Sequence, residues 1–457
     1  MARPVRIHDT LTGELRELEP REDARVGVYA CGPTVYAPIH VGNARPYVLF
    51  ALLKRFLEQA GYDVTLVVNV TDVNDKIYAA ARERGVPSTE LAKVMTGRYL
   101  EDTGRLGLGR PDSEPKASET IDTIVDLIRS LVDRGHAYAT GGDVYFRVAS
   151  FDGYGRLSNR ALEDMDQGED DVPESGAVKE NPHDFALWKA RKPDEDTWWD
   201  SPWGQGRPGW HIECSAMAEQ ILGLDFEVHG GGSDLVFPHH ENEIAQTEAA
   251  RARPLARLWM HNGMVQFAEE KMSKSVGNIR ALGAAIDEVG PEVLVMYFVS
   301  GHYRQPLAYN DAALENARAR VERVRDLARR LEPDGPGPNW MAPYRERFLD
   351  ELADDFNTPA ALAEVFGSIG EAHRRLDRGE RFGAGALRDM LWCLGLDGLL
   401  EPERERPDEE ALRLLDEREA ARRERDFATA DRTRDELLAR GWEVRDTPEG
   451  PQLVRAR

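Results

Sequence analysis

Three groups of residues in the 457-residue chain have types and spacings suited to chemistry. The first is Pro38-Ile39-His40-Val41-Gly42-Asn43. It follows an apolar run and opens a segment of helical spacing. Backbone N–H groups and a helix N-terminus would then meet at the carboxyl end of a strand, where phosphates bind. Gly42 has no side chain and lets a nucleotide approach the backbone. His40 can donate to a phosphate oxygen, and a capping or packing histidine is the plainer role for the same residue. The second group is Lys271-Met272-Ser273-Lys274-Ser275, followed by Val276-Gly277-Asn278. Only 9 of the 59 basic residues are lysine, so two lysines three apart stand out. Such a loop can wrap a triphosphate with mobile point charges and hydroxyl donors. Lysines there would stabilise charge developing on a leaving pyrophosphate; a solvated basic loop has the same composition. The third group is metal-like: Cys31, Cys214 in Gly209–Cys214, and His239 with Glu243. His239 and Glu243 stand at i, i+4, on one side of a helix. Thiolate, imidazole and carboxylate together suit zinc. His240 and Glu241 compete as ligands on the same helix, and a lone cysteine is equally a buried small hydrophobe.

These residues need elements to position them. Val26–Cys31 is a short apolar run suited to a buried strand. Asn43–Ala60 has helical spacing, and Tyr62–Val70 is a second β-branched run. Strand, loop, helix, strand is a βαβ unit and predicts a parallel sheet. Val5–His8, Phe226–His229 and Leu258–His261 are further strand candidates. Gly230–Asp234 reads as a turn, and Pro238–Ala250 as a helix with proline in its first turn. Residues 73–135 read as helices with charged faces, and Ala137–Phe151 as strands and turns. Glu163–Asp171 is acidic and reads as an exposed loop. The chain is strongly helical from Pro291. Leu331–Pro338 and Glu401–Pro407 read as linkers. The tail, from Asp408, reads as one long charged helix followed by β segments at Trp442–Val444 and Leu453-Val454. Length alone suggests about three domains.

Composition narrows the class. Hydrophobic residues are 41% and charged residues 31%, as in folded soluble chains. No apolar run reaches the roughly 18 residues of a membrane helix, and the first residues lack an apolar signal core. Three cysteines cannot build a disulfide framework and fit a reducing cytoplasm. A net charge of −23 argues against a generic polyanion binder. It leaves room for a specific nucleic-acid partner on a local basic face. The acid excess fits either base composition or adaptation to salt, which activity in molar potassium chloride would separate.

Together the motifs closely resemble the cysteinyl-tRNA synthetase family. The resemblance is carried by Cys31–Tyr36, His40–Asn43, Asn69–Asp72, Gly209–Cys214, His229–Glu243 and Lys271–Ser275. It extends to Asp355–Pro359, Arg425–Asp431 and Arg434–Leu437, so it covers essentially the whole chain. It implies an α/β class I synthetase: a Rossmann-type parallel-sheet core, an inserted connective segment, an α-helical bundle and a small C-terminal tRNA-recognition domain. The implied divisions are 1–300 for the catalytic domain (with the insertion at approximately 115–205), 301–400 for the stem-contact and helical-bundle region, and 401–457 for the anticodon-recognition domain. The implied reaction activates L-cysteine with ATP and Mg2+ to cysteinyl-adenylate and pyrophosphate. The cysteine then passes to the 3′-terminal adenosine of tRNA(Cys).

Carried over residue by residue, His40, Asn43, Lys271 and Lys274 take the catalytic positions. Gly42, Ser273 and Ser275 join them in binding ATP. Asn43 departs from the family's usual histidine; it can still donate a hydrogen bond but cannot carry charge. Cys31, Cys214, His239 and Glu243 fall on the zinc positions, with one Zn2+ per subunit. Thr71, Trp210, His229 and Asp234 fall in the substrate cleft. Serine differs from cysteine by one atom, and an apolar pocket separates such pairs only modestly. Zinc prefers thiolate, so coordination of the substrate sulfur is expected to reject serine. Five bonds would then crowd the ion, and Glu243 is the ligand expected to loosen. The family implies a cytoplasmic monomer.

Three other readings share parts of this pattern. A cysteine ligase of mycothiol synthesis shares the core and zinc site but has no need of residues 401–457. A non-catalytic tRNA-binding paralogue has no need of His40, Lys271 and Lys274. A zinc hydrolase needs an open metal position, which four protein ligands do not readily leave. Arg422, Arg423, Arg425, Arg432 and Arg434 lie on one predicted helix and suit either salt bridges or RNA contacts.

Overall fold

The computed structural model describes residues 2–160, 179–267, 280–333, 335–401, 409–424, 426–447 and 450–455. The acidic segment Glu163–Asp171 and the Lys271–Asn278 segment lie outside the described residues. The chain divides into two units, Met1–Leu400 and Glu401–Arg457.

The larger unit begins with a hairpin of β1 (Arg6–Asp9) and β2 (Glu14–Glu17). Strand β3 (Arg25–Ala30) is buried at every position after Arg25, as its apolar run requires. Helix α1 (Val41–Gln59) follows, and β4 (Asp63–Val68) returns parallel to β3, pairing Val26 with Val64 and Ala30 with Val68. This is the predicted βαβ unit. The helix starts at Val41 rather than Asn43, because His40 forms the cap.

Helices α2 (Asp75–Arg84), α3 (Ser88–Gly104) and α4 (Ile121–Asp133) occupy the span predicted as helical. The antiparallel sheet β5 (Ala137–Thr140), β6 (Asp143–Phe146), β7 (Phe185–Ala190) and β8 (Gly206–Pro208) comes next. It has its own core, in which Ile128 and Leu131 of α4 meet Phe146, Phe185 and Trp188.

Helix α5 (Trp210–Leu222) leads back to the parallel sheet through β9 (Phe226–Gly232), α6 (Glu241–Arg251) and β10 (Ala256–Asn262). The strand order is β10-β9-β3-β4, all parallel. Two expectations fail here. Residues 230–232 are not a turn but the end of β9. A Cβ on Gly230 would collide with the Phe50 ring and the Met260 carbonyl, so this glycine serves close packing rather than a bend. Nor is Pro238–Ala250 one helix: Phe237 is extended (φ −138°, ψ 135°), Val236–His240 form a separate turn, and α6 starts at Glu241.

The unit continues with β11 (Val265–Phe267), α7 (Leu282–Val289), the buried α8 (Pro291–Val299) and β12 (Leu307–Tyr309), which pairs parallel with β11. Helices α9 (Asp311–Ala328), α10 (Ala342–Ala353), α11 (Thr358–Asp377) and α12 (Ala386–Cys393) complete it.

The smaller unit holds α13 (Glu409–Glu424), α14 (Phe427–Ala439) and the antiparallel pair β13 (Trp442–Thr447) and β14 (Gly450–Arg455). Its core includes Ala411, Leu414, Leu437 and Trp442. The expected single long helix is two, because Asp426 caps α14 by accepting from the Thr429 N–H. The tail arginines are divided accordingly: Arg422 and Arg423 lie on α13, Arg432 and Arg434 on α14, and Arg425 outside the described residues. Among the described residues no helix is long and apolar enough to cross a membrane.

Candidate active site

The carboxyl ends of the parallel strands gather the metal-like residues. Cys31 directly follows β3, and its N–H donates to the Gly230 carbonyl on β9 (3.0 Å). Cys214 lies in α5, His239 in the turn before α6, and Glu243 in the first turn of α6. One donor atom from each of the four lies within 4.8 Å of the others, and all four residues are buried. The Cys31 and Cys214 sulfurs are 3.8 Å apart. Cys31 Sγ is 3.7 Å from Glu243 Oε1, and His239 Nε2 is 3.2 Å from the same oxygen.

The charge balance of this cluster calls for a cation. A hydrogen bond from Cys31 brings the Cys214 thiol down to about 6 despite burial. Burial, then the neighbouring Cys214, push Cys31 well up, so the two thiols shift in opposite directions. Burial opposes a charge on His239, yet Glu243 and Cys214 raise it overall. The ion partners of Glu243 among the described residues are histidines, with no lysine or arginine. Buried anions of this kind are stable when paired or when they ligate a metal. The donor set of two thiols, one imidazole and one carboxylate fits zinc.

The competing ligands separate. Glu241 turns away and accepts backbone N–H bonds from Gly155 (3.0 Å) and Ser158 (2.8 Å). His240 stays close, with Nε2 3.3 Å from Cys31 Sγ and Nδ1 2.7 Å from His261 Nε2. With Cys31, His229 and Glu243 it forms a second group of metal-binding geometry. That group has one sulfur instead of two, so the first suits a thiophilic metal such as zinc better.

Aromatic rings and further histidines brace the cluster. The half-buried Trp210 ring lies on the His239 ring, with centroids 4.3 Å apart. His211 Nδ1 is 3.0 Å from His239 Nδ1, a partner for the ring nitrogen that faces away from Glu243. Burial, then His239, keep His211 neutral. His229 is fully buried and meets Glu243 Oε2 at 2.9 Å, while its ring stacks on Trp259. His211 and His261 were missed in the sequence. The i, i+3 spacing of His211 and Cys214 on one helix was the available signal for the first; His261, on a separate strand, gave none.

The phosphate-binding candidates assemble at the start of α1. His40 is its N-cap: Nδ1 accepts from the Asn43 N–H (3.3 Å), and Asn43 Oδ1 accepts from the His40 N–H (3.2 Å). An accepting Nδ1 leaves the ring proton of a neutral imidazole on Nε2. Burial holds the His40 pKa below the ordinary histidine value, against the pull of Asp234. The Val41 N–H is taken by the Arg280 carbonyl (3.1 Å), so Gly42 carries the remaining N–H of this first turn without a partner among the described residues. Asp234 is exposed, and its carboxylate raises the pKa of both His40 and His239 against their burial. Thr71 is buried three residues beyond β4, its N–H on the Pro33 carbonyl (3.2 Å) and its hydroxyl taking a bond from Asn69 Nδ2 (3.3 Å). Lys271, Ser273, Lys274 and Ser275 lie outside the described residues.

Residues 17–319 match the model of the tRNA synthetases class I (C) catalytic domain, residues 347–396 a DALR domain, and residues 406–455 a cysteinyl-tRNA ligase anticodon binding domain. The cysteine–tRNA ligase of Geobacillus thermodenitrificans is 44% identical, covering 99% of each chain. That of Halorhodospira halophila is 45% identical over 99% of this chain and 100% of its own. Among solved structures, Mycobacterium tuberculosis methionyl-tRNA synthetase bound by methionyl-adenylate superposes with a TM-score of 0.59 at 16% identity, over 90% of this chain and 96% of that one. The Agrobacterium radiobacter LeuRS in a ternary complex does so with 0.59 at 11%, over 84% and 85%. These two share the fold, a parallel-sheet class I core with helices after it. With family models across catalytic, helical and anticodon segments, and full-length relatives above 40% identity, the chain belongs to the cysteine–tRNA ligase family of class I synthetases.

Proposed function

We infer that the chain is an ATP-dependent cysteine–tRNA ligase that charges tRNA(Cys). One observation carries the reading: a buried cluster of two thiols, an imidazole and a carboxylate lies beneath Trp210, with Cys31 just past β3 on the connection that runs to the capped start of α1. A thiol-recognising base next to a phosphate-binding helix start is what cysteine activation needs. The anticodon-domain match at residues 406–455 favours this reading over a mycothiol-type ligase.

The reaction has two steps. The cysteine carboxylate attacks the α-phosphorus of ATP, the bond to the bridging oxygen breaks, and pyrophosphate leaves. A terminal ribose hydroxyl of the tRNA then attacks the adenylate carbonyl, the acyl–oxygen bond to AMP breaks, and the hydroxyl proton passes to solvent. In the first step neutral His40 donates through Nε2 to a phosphate oxygen, with the Gly42 N–H beside it. Asn43 fixes the His40 backbone through the capping box. Lys271 and Lys274, with Ser273 and Ser275, supply charge and donors to the departing phosphates, and Mg2+ accompanies the ATP.

Cys31, Cys214, His239 and Glu243 would hold zinc. When bound there, zinc supplies a site that takes a thiolate in preference to a serine hydroxyl. Trp210 packs over His239 and against the substrate, and Thr71 shapes the floor of the cleft. The exposed carboxylate of Asp234 suits the substrate ammonium. His229, the fourth cleft residue, lines the cleft and orients Glu243 through its Nε2. The working protein is a monomer, with a catalytic domain over 1–300 carrying an insertion at approximately 115–205, a helical region over 301–400 and a tRNA-recognition domain over 401–457.

The test is charging of bulk bacterial tRNA with labelled cysteine, ATP and zinc-replete protein, with serine and the mycothiol amino-sugar in parallel. Acid-precipitable label with cysteine alone is the expected result. Cysteine consumed only with the amino-sugar would replace the reading with the small-molecule ligase, and silence in all arms with a tRNA-binding protein.

A further inference from the structure

Arg45 lies one turn into α1 and is 3% exposed, yet no carboxylate among the described residues pairs with it. Its guanidinium donates instead to five backbone carbonyls. Nη1 reaches Gly263 (2.5 Å) and Met264 (3.2 Å), and Nη2 reaches His302 (3.3 Å), Tyr303 (3.1 Å) and Gln305 (2.7 Å). Burying a charge on neutral acceptors alone is costly. Burial lowers the Arg45 pKa to about 10, so it stays charged at neutral pH. Simple packing would be served by an apolar side chain. A planar fork with five donors fixes the geometry of what it touches.

What it touches is specific. Residues 263–264 join β10 to β11, and β11 leads into the segment that carries Lys271–Ser275. Residues 302–305 lead into β12, which pairs with β11. The Gly263 N–H donates to the Tyr303 carbonyl (2.8 Å), and the Leu307 N–H to the Met264 carbonyl (3.0 Å). A Cβ on Gly263 would come within 2.5 Å of the Gln305 backbone, so the joint is closed. Beyond the signature segment the chain is fixed to the same helix start: His40 bridges Ala281, and the Leu282 N–H donates to the Ile39 carbonyl (2.9 Å). Both flanks of the second signature are thus tied to the first, one by backbone pairing and the other through Arg45.

We propose that Arg45 is a positioning residue for adenylate formation, which fixes through backbone carbonyls where β11 delivers the chain to the second signature relative to His40. Arg45 itself does not touch ATP. The inference rests on the chain being a cysteine–tRNA ligase.

The test is cysteine-dependent ATP–pyrophosphate exchange with the full-length protein, resolving the ATP and cysteine dependences, beside metal content and thermal midpoint. Arg45→Lys keeps the charge but loses the fork. Its kcat/KM for ATP should fall about tenfold or more, as misplacement on the ångström scale does. Its cysteine KM and metal content should stay within about twofold, since the metal cluster is built from other elements. Asp355→Asn is the structural control. Asp355 holds the same turn from the far side, accepting from the His8 N–H (2.9 Å) and the Tyr303 hydroxyl (2.7 Å), without reaching α1. It should lower the thermal midpoint and leave the ATP dependence within about twofold. An unchanged ATP dependence in Arg45→Lys would overturn the proposal. So would an equal loss in its cysteine KM and metal content, or the same ATP defect in Asp355→Asn. If Arg45→Lys does not fold, Gly263→Ala decides: it keeps the guanidinium and displaces the joint, and a normal ATP dependence there also overturns the proposal. No exchange by the unaltered protein would instead overturn the ligase reading.

Discussion

Cys214 and Cys393 are both buried thiols, but their surroundings give them opposite chemistry. Cys214 faces a second thiol, an imidazole and a carboxylate and is brought down to about 6, first by the hydrogen bond from Cys31. Cys393 closes α12 among apolar side chains, and burial pushes it up to about 12. A metal needs thiolate, so the two should separate cleanly. Cys214→Ser and Cys31→Ser should each lose most of the bound zinc from purified protein, while Cys393→Ser keeps a full equivalent by atomic emission. Equal loss in all three would reject the ligand set. The residue types of this site were legible in the sequence, since three cysteines are few enough to weigh singly. Their proximity was not: 183 residues separate Cys31 from Cys214, and only the parallel sheet brings them to one end. The roles within the cluster were legible only in part. The contact of the His229 ring nitrogen with Glu243 was not legible, because 14 residues and a break between strand and helix lie between them.

At the scale of elements, spacing predicted what local physics decides and failed where packing overrides it. The β3–α1–β4 unit follows from two β-branched runs around a helical period. The Gly230–Gly232 run reads as a turn by composition, yet it is a strand because Phe50 and Met260 leave no room for a side chain. No pattern announced the charged tether between α2 and the antiparallel insert, because its members are distant in sequence. Arg207 on β8 is 2% exposed and pairs with Glu195 (3.0 Å, 2% exposed) and with Asp75 at the start of α2. Glu195→Ala leaves Arg207 to Asp75 alone and removes one charge-assisted hydrogen bond from a buried site, so it should cost about 1.5–3 kcal/mol in denaturant unfolding. Burial pushes the Asp75 carboxyl up, but Arg207 and Lys189 outweigh it and hold it below its usual value. A depressed carboxyl adds stability above its unfolded pKa of about 4 and loses it as pH falls through the lower folded value. The thermal midpoint of the unaltered protein should therefore drop below about pH 4 more steeply than that of Asp75→Asn. Parallel curves would mean that the tether carries no titrating load.

At the scale of the whole molecule, the catalytic and DALR family matches fall in one unit and the anticodon-domain match in the other. Everything placed at the metal cluster and at the start of α1 lies within Met1–Leu400. Residues 401–457 carry 17 acidic and 13 basic residues, so no bulk positive field draws RNA to them. Several of their described arginines are engaged locally, as Arg413 is with Glu410 and Glu417, and Arg434 with Asp431. What the tail offers to RNA is instead a set of exposed apolar groups, Phe427 (65%) and Leu438 (54%) on α14 and Leu412 (48%) on α13. An exposed aromatic ring suits stacking on an unpaired base. Separate units predict separable activities. A chain ending at Leu400 should keep cysteine-dependent pyrophosphate exchange within about twofold, because adenylate formation uses no residue of the tail. Its kcat/KM for tRNA charging should fall about tenfold or more, since two linked contacts on one RNA bind far better than either alone. Phe427→Ala in the full chain should reproduce part of that loss, about 1–3 kcal/mol if the ring stacks on a base. Loss of exchange in the shortened chain would show that the larger unit needs the tail to fold or to close its active site. Unchanged charging by both variants would move the tRNA contacts to residues 1–400 and leave the tail's exposed ring without a partner.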